Sequence, residues 1–111
     1  MAYDEVLAER IRDALGPVLP DVTERKMFGG LGFMVGGNMA VAASGQGGLL
    51  ARVDPAETPE LLRRDFVATM VMGGREMRNW LRVDAAALED DAALEEWVGR
   101  SVAYARTLPP K

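Results

Sequence analysis

Lys26-Met27-Phe28-Gly29-Gly30-Leu31-Gly32-Phe33-Met34-Val35-Gly36-Gly37-Asn38-Met39-Ala40-Val41-Ala42-Ala43 decides the fold of this 111-residue chain. Leu31, Phe33 and Val35 alternate with Gly32 and Met34, a period of two that gives a strand one bulky face and one nearly bare face. Gly36-Gly37-Asn38 has the composition of a tight turn, because these residues accept positive φ at little cost. Met39, Val41 and Ala43 then alternate with Ala40 and Ala42 as the return strand. Ser44-Gly45-Gln46-Gly47-Gly48 makes a looser turn, and Leu49 to Val53 the next strand, with Arg52 turned to solvent. A three-stranded meander over 31–53 follows, and Glu24–Phe28 is a candidate for one strand more.

Outward from the meander the period changes. Tyr3, Leu7, Ile11 and Leu15 recur at helical spacing among charged residues, and Gly16-Pro17 stops that helix. Thr58-Pro59-Glu60-Leu61-Leu62-Arg63-Arg64 reads as a short helix, with Thr58 as cap and Pro59 in its first turn. Ala68 to Met72 fits either period, Gly73-Gly74 is a turn, and Glu76 to Val83 is a strand carrying Trp80 and Val83. Asp90 or Asp91 caps the last helix, whose apolar stripe is Leu94, Trp97, Val98, Val102 and Ala105. The fold class is therefore α+β: an antiparallel meander of about five strands, with N- and C-terminal helices and a short middle helix packed on it. Residues 1–111 read as a single domain.

Composition narrows the chemistry. The chain has no cysteine and no histidine, which removes disulfides, the thiol nucleophile, the usual proton shuttle near pH 7 and the common zinc ligands. Met27 to Ala51 is uncharged over 25 positions, but eight of these are glycine, so strands fit the segment better than a membrane helix. The N-terminus has neither a basic head nor an apolar run, and the expected location is the cytoplasm. Net charge is −4, with a mildly basic middle between acidic ends, which argues against strong nucleic-acid binding by bulk electrostatics.

Individual residues offer little catalysis. The glycine clusters miss phosphate-loop spacing: Gly30-x-Gly32 would need glycine where Val35 stands, and Gly45-x-Gly47 where Leu50 stands. Ser44 and Ser101 have no histidine to activate them. Glu89, Asp90 and Asp91 suit helix capping, and Glu76 lies between Arg75 and Arg78 as a charge balance. No cofactor and no metal are expected. The seven methionines read as a soft core, with a Met-rich binding surface as the alternative. Trp97 belongs to the core; Trp80, beside Asn79 and Arg78, is either core or a half-buried platform. If the strands that carry them are neighbours, Arg25, Lys26, Arg75 and Arg78 gather at one sheet edge, where the alternatives are solvated strand ends or an anion, acidic-protein or nucleic-acid contact. The candidate interaction surface is Arg25, Lys26, Arg75, Arg78 and Trp80.

Lys26 to Met34, the Gly-Gly-Asn turn with Met39, Leu50-Ala51-Arg52-Val53 and Gly73-Gly74-Arg75-x-Met77-x-x-Trp80 together resemble the TfoX N-terminal domain family, the TfoX/Sxy family. Trp97-Val98 and Ala103-Tyr104-Ala105-Arg106-Thr107-Leu108-Pro109 resemble its closing helix. The resemblance implies a small α+β domain with a curved antiparallel sheet flanked by helices, and no catalytic residues. The family's best-known members resemble transcriptional co-activators of natural competence acting with the cyclic-AMP receptor protein. They carry a second, C-terminal helical domain that these 111 residues do not include, so a standalone N-terminal domain is expected. The expectation is a non-enzymatic regulatory or interaction domain whose partner is another protein, as monomer or homodimer and without membrane attachment. Direct nucleic-acid or anion binding through the Arg-bearing edge is the alternative, and a small carboxylate- or metal-dependent enzyme the third.

Overall fold

The computed structural model describes residues 3–27 and 29–110, with the side chains of Met72 and Arg78 outside the described set. Asp4 opens α1 (Glu5–Leu15): its Oδ1 accepts hydrogen bonds from the N–H groups of Val6 at 2.9 Å and Leu7 at 3.2 Å. The predicted stripe of Leu7, Ile11 and Leu15 is buried, and the chain leaves the helix at Gly16 with φ 48. A 3-10 segment, Gly16–Asp21, leads into the sheet. At the other end α3 (Asp91–Ala105) is capped by Asp90, whose Oδ1 accepts from the Ala92 N–H at 2.9 Å. The middle helix is a single turn, α2 (Thr58–Leu61), with Pro59 at its start. Thr58 is the first residue of that turn and not its cap; Glu57 holds the cap position.

Among the described residues the sheet has six strands: β1 (Val22–Met27), β2 (Gly30–Val35), β3 (Asn38–Ala43), β4 (Leu49–Arg52), β5 (Val67–Met72) and β6 (Arg75–Val83). They pair antiparallel in the order β1-β2-β3-β4-β6-β5. β2, β3 and β4 form the predicted three-stranded meander, and β1 before them is the strand anticipated at Glu24. β5 resolves the ambiguous segment at Ala68–Met72 as an edge strand and raises the count from about five to six. Gly36-Gly37 and Gly73-Gly74 each take positive φ at both residues (60 and 83, 60 and 79), the backbone of a two-residue hairpin turn matched to strand twist.

One buried cluster joins Leu7, Ile11, Trp97 and Val98 of the two long helices to Phe33, Val41, Leu49, Leu81 and Val83 of the sheet. The helices therefore cover one face, and the alternate residues of each strand lie on the other. In β3 the alternation breaks. Phe33 pairs with Val41 but Met34 with Met39, so Ala40 is an extra residue, a bulge that turns Met39 away from the Val41 face. The Met39 Sδ lies 3.3 Å from where a side chain on Gly32 would begin, which places it on the helix-free face. Sequence alternation had put Met39 with Val41 and Ala43; the bulge overturns that.

Charged pairs tie the elements together at the surface. Arg10 links α1 to α3 through Asp91 (3.0 Å), and Arg12 links α1 to β1 through Glu24 (2.6 Å). Arg64 and Arg100 meet Glu96 at 2.9 and 3.1 Å, and Arg100 reaches Glu57 at 3.0 Å. The Asn38 Nδ2 donates to the Pro109 carbonyl at 2.9 Å, anchoring the chain beyond α3 to the first residue of β3.

Two outcomes follow for stability. A Cβ on Gly30 would stand 2.5 Å from the Ala43 carbonyl oxygen, whereas one on the helical Gly99 meets nothing within 4 Å. Gly30→Ala is expected to cost about 1–3 kcal/mol by overpacking against backbone, and Gly99→Ala to stabilise by about 0.5–1 kcal/mol through helix propensity. Urea unfolding of both variants checks the pair. The second concerns pH: hydrogen bonds from Arg12 and Arg64 hold the carboxyls of Glu24 and Glu96 below the ordinary range. A depressed carboxylate stabilises the fold above its unfolded value and loses that contribution as pH falls through the folded value. The urea midpoint should therefore fall between about pH 5 and pH 3, with a shallower fall in Glu24→Gln.

Candidate functional site

The strands that carry the predicted cationic edge are not neighbours. Arg25 and Lys26 lie on β1, and Arg75 and Arg78 on β6, with β2, β3 and β4 between the two strands. The expected gathering was conditional on neighbouring strands, and that condition is not met. Arg25 pairs with Gly32 and Lys26 with Leu31, so the two side chains also take opposite faces of the sheet. Arg25, Lys26 and Arg75 are exposed and form no ion pair with a described residue. The Arg78 side chain lies outside the described residues. Trp80 is buried, at 8% exposure, but on the face away from the helices.

Trp80 instead belongs to a concave site on that open face. β4 and β6 pair there as Arg52↔Trp80 and Leu50↔Arg82. The Arg52 guanidinium carbon sits 4.9 Å from the Trp80 ring centroid, a cation–π contact. The side chain turns along the sheet and not to solvent, as the sequence pattern had suggested, because the large indole surface beside it offers both apolar cover and an attractive ring face. Burial pushes its guanidinium below the ordinary value, and Tyr104 opposes that shift.

Beside Trp80 a cavity of about 400 Å³ is lined by Met27, Met39, Leu50, Met70 and Met77. Ser44 and Arg82 form its polar end, and the Arg82 Nη1 donates to the Ser44 Oγ at 3.1 Å. The same oxygen accepts the Gln46 N–H at 3.1 Å, so the glycine-rich β3–β4 loop orients the guanidinium. Met27 from β1 and Gly73 from the β5–β6 turn border this one cavity. In a flat sheet β1 and β5 would stand about 24 Å apart, five inter-strand steps. The sheet therefore curls around its open face.

Arg52, Arg82 and Ser44 escaped the sequence-based selection as a site, and the four methionines entered it only as the alternative to a soft core. Their signal was present in the bare-face positions of each strand: Gly32, Ala42, Leu50, Arg52, Trp80 and Arg82. Reading it required the strand order, which places these positions side by side. Among the described residues no group of three Asp, Glu, His or Cys side chains is placed to hold a metal ion. No helix among the described residues is long and apolar enough to cross a membrane.

The curled antiparallel sheet, its glycine turns and the closing helix fall within one stretch: residues 13–105 match the TfoX N-terminal domain. The chain belongs to the TfoX N-terminal domain family. That match spans β1 to β6, α3 and only the last turn of α1, so the open-face cavity lies wholly inside the family domain. No curated protein matches the chain, and no solved structure does.

Replacing Trp80 with Ala is expected to cost about 3 kcal/mol, because it empties a buried aromatic position. Arg75→Ala should move stability by no more than about 0.5 kcal/mol, as a surface change away from caps and core. Urea unfolding of the two variants separates a structural tryptophan from a surface platform.

Proposed function

We propose that this TfoX N-terminal domain is a non-enzymatic regulatory module that works by binding another protein. The observation that carries the reading is the family match over residues 13–105, together with the residues the chain offers for contact. β5 pairs only with β6 among the described strands, so one row of its backbone N–H and C=O groups is free. Its sequence, Val67 to Met72, contains no charge, and Val71 is 58% exposed, with Phe66 just before it at 59%. β1, the other edge, carries Glu24, Arg25 and Lys26, the kind of charge that discourages edge pairing. An extended segment of a partner protein adding to β5 is the recognition mode this asymmetry favours, with Arg75 at the adjoining hairpin placed for an acidic side chain.

Nucleic-acid binding is the second reading, supported by the unpaired Arg25, Lys26 and Arg75. It predicts a steep loss of affinity for a DNA or RNA duplex between about 50 and 200 mM salt. The protein-contact reading predicts no more than nonspecific duplex affinity throughout that range.

The decisive experiment is genetic and biophysical together. Deleting the gene should change a set of transcripts, wild-type protein should restore them, and Val71→Lys should fail to restore them while melting within a few degrees of wild type. Val71 is largely exposed, so the substitution is expected to cost within about 0.5 kcal/mol. Restoration by Val71→Lys, or an unchanged transcript profile on deletion, would overturn the reading. Light scattering of the purified protein shows whether the strand added to β5 comes from a second copy.

A further inference from the structure

We infer that the open face of the sheet holds a binding site for a small apolar carboxylate, with Arg82 receiving the carboxylate and the methionine-lined cavity its apolar body. The inference stands apart from the protein-contact reading, because such a ligand would bind with or without a protein partner.

The cavity, at about 400 Å³, falls within the range of small-molecule sites. Its walls include Leu50, Trp80 and four methionines, Met27, Met39, Met70 and Met77, whose unbranched side chains adapt to a ligand's shape. The bare positions opposite them are held open by constraint. Gly30 sits so close to the Ala43 carbonyl that no side chain fits, and Gly45 approaches Gly29 in the same way. Ala42, beside Gly32, adds only a methyl group. A sheet face facing bulk water has no need of four methionines around a hollow, and a core would have filled it.

The polar end sets the ligand's charge. Arg82 has five N–H donors and uses one on Ser44; it pairs with no described carboxylate. No Asp or Glu is among the described residues lining the cavity. Asp84, in the adjoining groove, is engaged in accepting the Ala86 N–H at 2.9 Å. A neutral or cationic guest would leave the half-buried guanidinium unmatched. A phosphate monoester would bring close to two negative charges against one cation beside apolar walls. A single planar carboxylate matches both the charge and the fork of Arg82. The lining leaves the rest of the molecule apolar, on the scale of about a dozen non-hydrogen atoms.

Calorimetric titration of the intact protein with decanoate, decan-1-ol and decyltrimethylammonium, each below its aggregation threshold, tests this. Decanoate should bind about tenfold or more tightly than either of the others. Arg82→Gln should weaken decanoate about ten- to a hundredfold and leave decanol unchanged, in line with loss of a charge-assisted hydrogen bond. Ala42→Phe should abolish binding of both by filling the cavity, and Leu50→Trp serves the same purpose if Ala42→Phe does not give a cooperative melt. Equal affinity for the three amphiphiles, no binding of decanoate, or binding that survives either Arg82→Gln or the filled cavity would overturn the inference.

Discussion

Two helices about 10 Å in diameter must cover a six-stranded sheet about 24 Å across, and they can cover only one of its faces. On that face α1 and α3 close over Phe33, Val41, Leu49, Leu81 and Val83 in one continuous core. Among the described residues no second layer covers the opposite face. Its apolar positions are sheltered by the curl of the sheet, by Arg52 lying along Trp80 and by four methionines around a hollow. Most of what is distinctive in this domain, the glycine pattern included, is a response to that uncovered face.

Glycine enters where backbone meets backbone. The β1–β2 turn and the β3–β4 loop approach so closely that a Cβ on Gly30 or Gly45 would fall within 2.8 Å of a carbonyl oxygen. That contact joins two hairpins at the mouth of the cavity and sets Ser44 where it can orient Arg82. The glycine run therefore works through space it leaves empty. The two edges are treated differently: β1 carries three consecutive charged residues, one of which, Glu24, is tied to Arg12, while β5 is uncharged and free along one side among the described strands. An edge left so bare is either paired by something or a hazard, which is why the protein-contact reading centres there.

Local chemistry made much of the fold readable. The α1 stripe and its Gly16 stop, the paired-glycine turns, the β1–β4 meander and the Asp90 cap each depend on residues adjacent in sequence. Trp97 also fell in the core, as its helical spacing required. Apart from the Thr58 cap, the corrections share one cause. Arg52 was assigned to solvent from its place in an alternating strand and Met39 to the Val41 face, and the cations of β1 and β6 were expected together only if those strands were neighbours. Each depended on which strand lay next door, or on a bulge that shifts register by one residue and so reverses a side chain.

The amino-acid sequence by itself determined the fold class, the family and most element boundaries, because turns, caps and hydrophobic period are written within a few residues of where they act. The tertiary structure decided the strand order β1-β2-β3-β4-β6-β5, and with it the site. Inserting β6 between β4 and β5 sets Trp80 against Arg52 and Arg82 against Leu50, pairs of residues about thirty positions apart along the chain. No local preference encodes such a pairing, since strand partners are chosen by the total burial and hydrogen bonding of the finished sheet. The extra residue at Ala40 then brings Met39 onto the open face, and the curl brings Met27 toward Gly73. The cavity exists only after all three have happened.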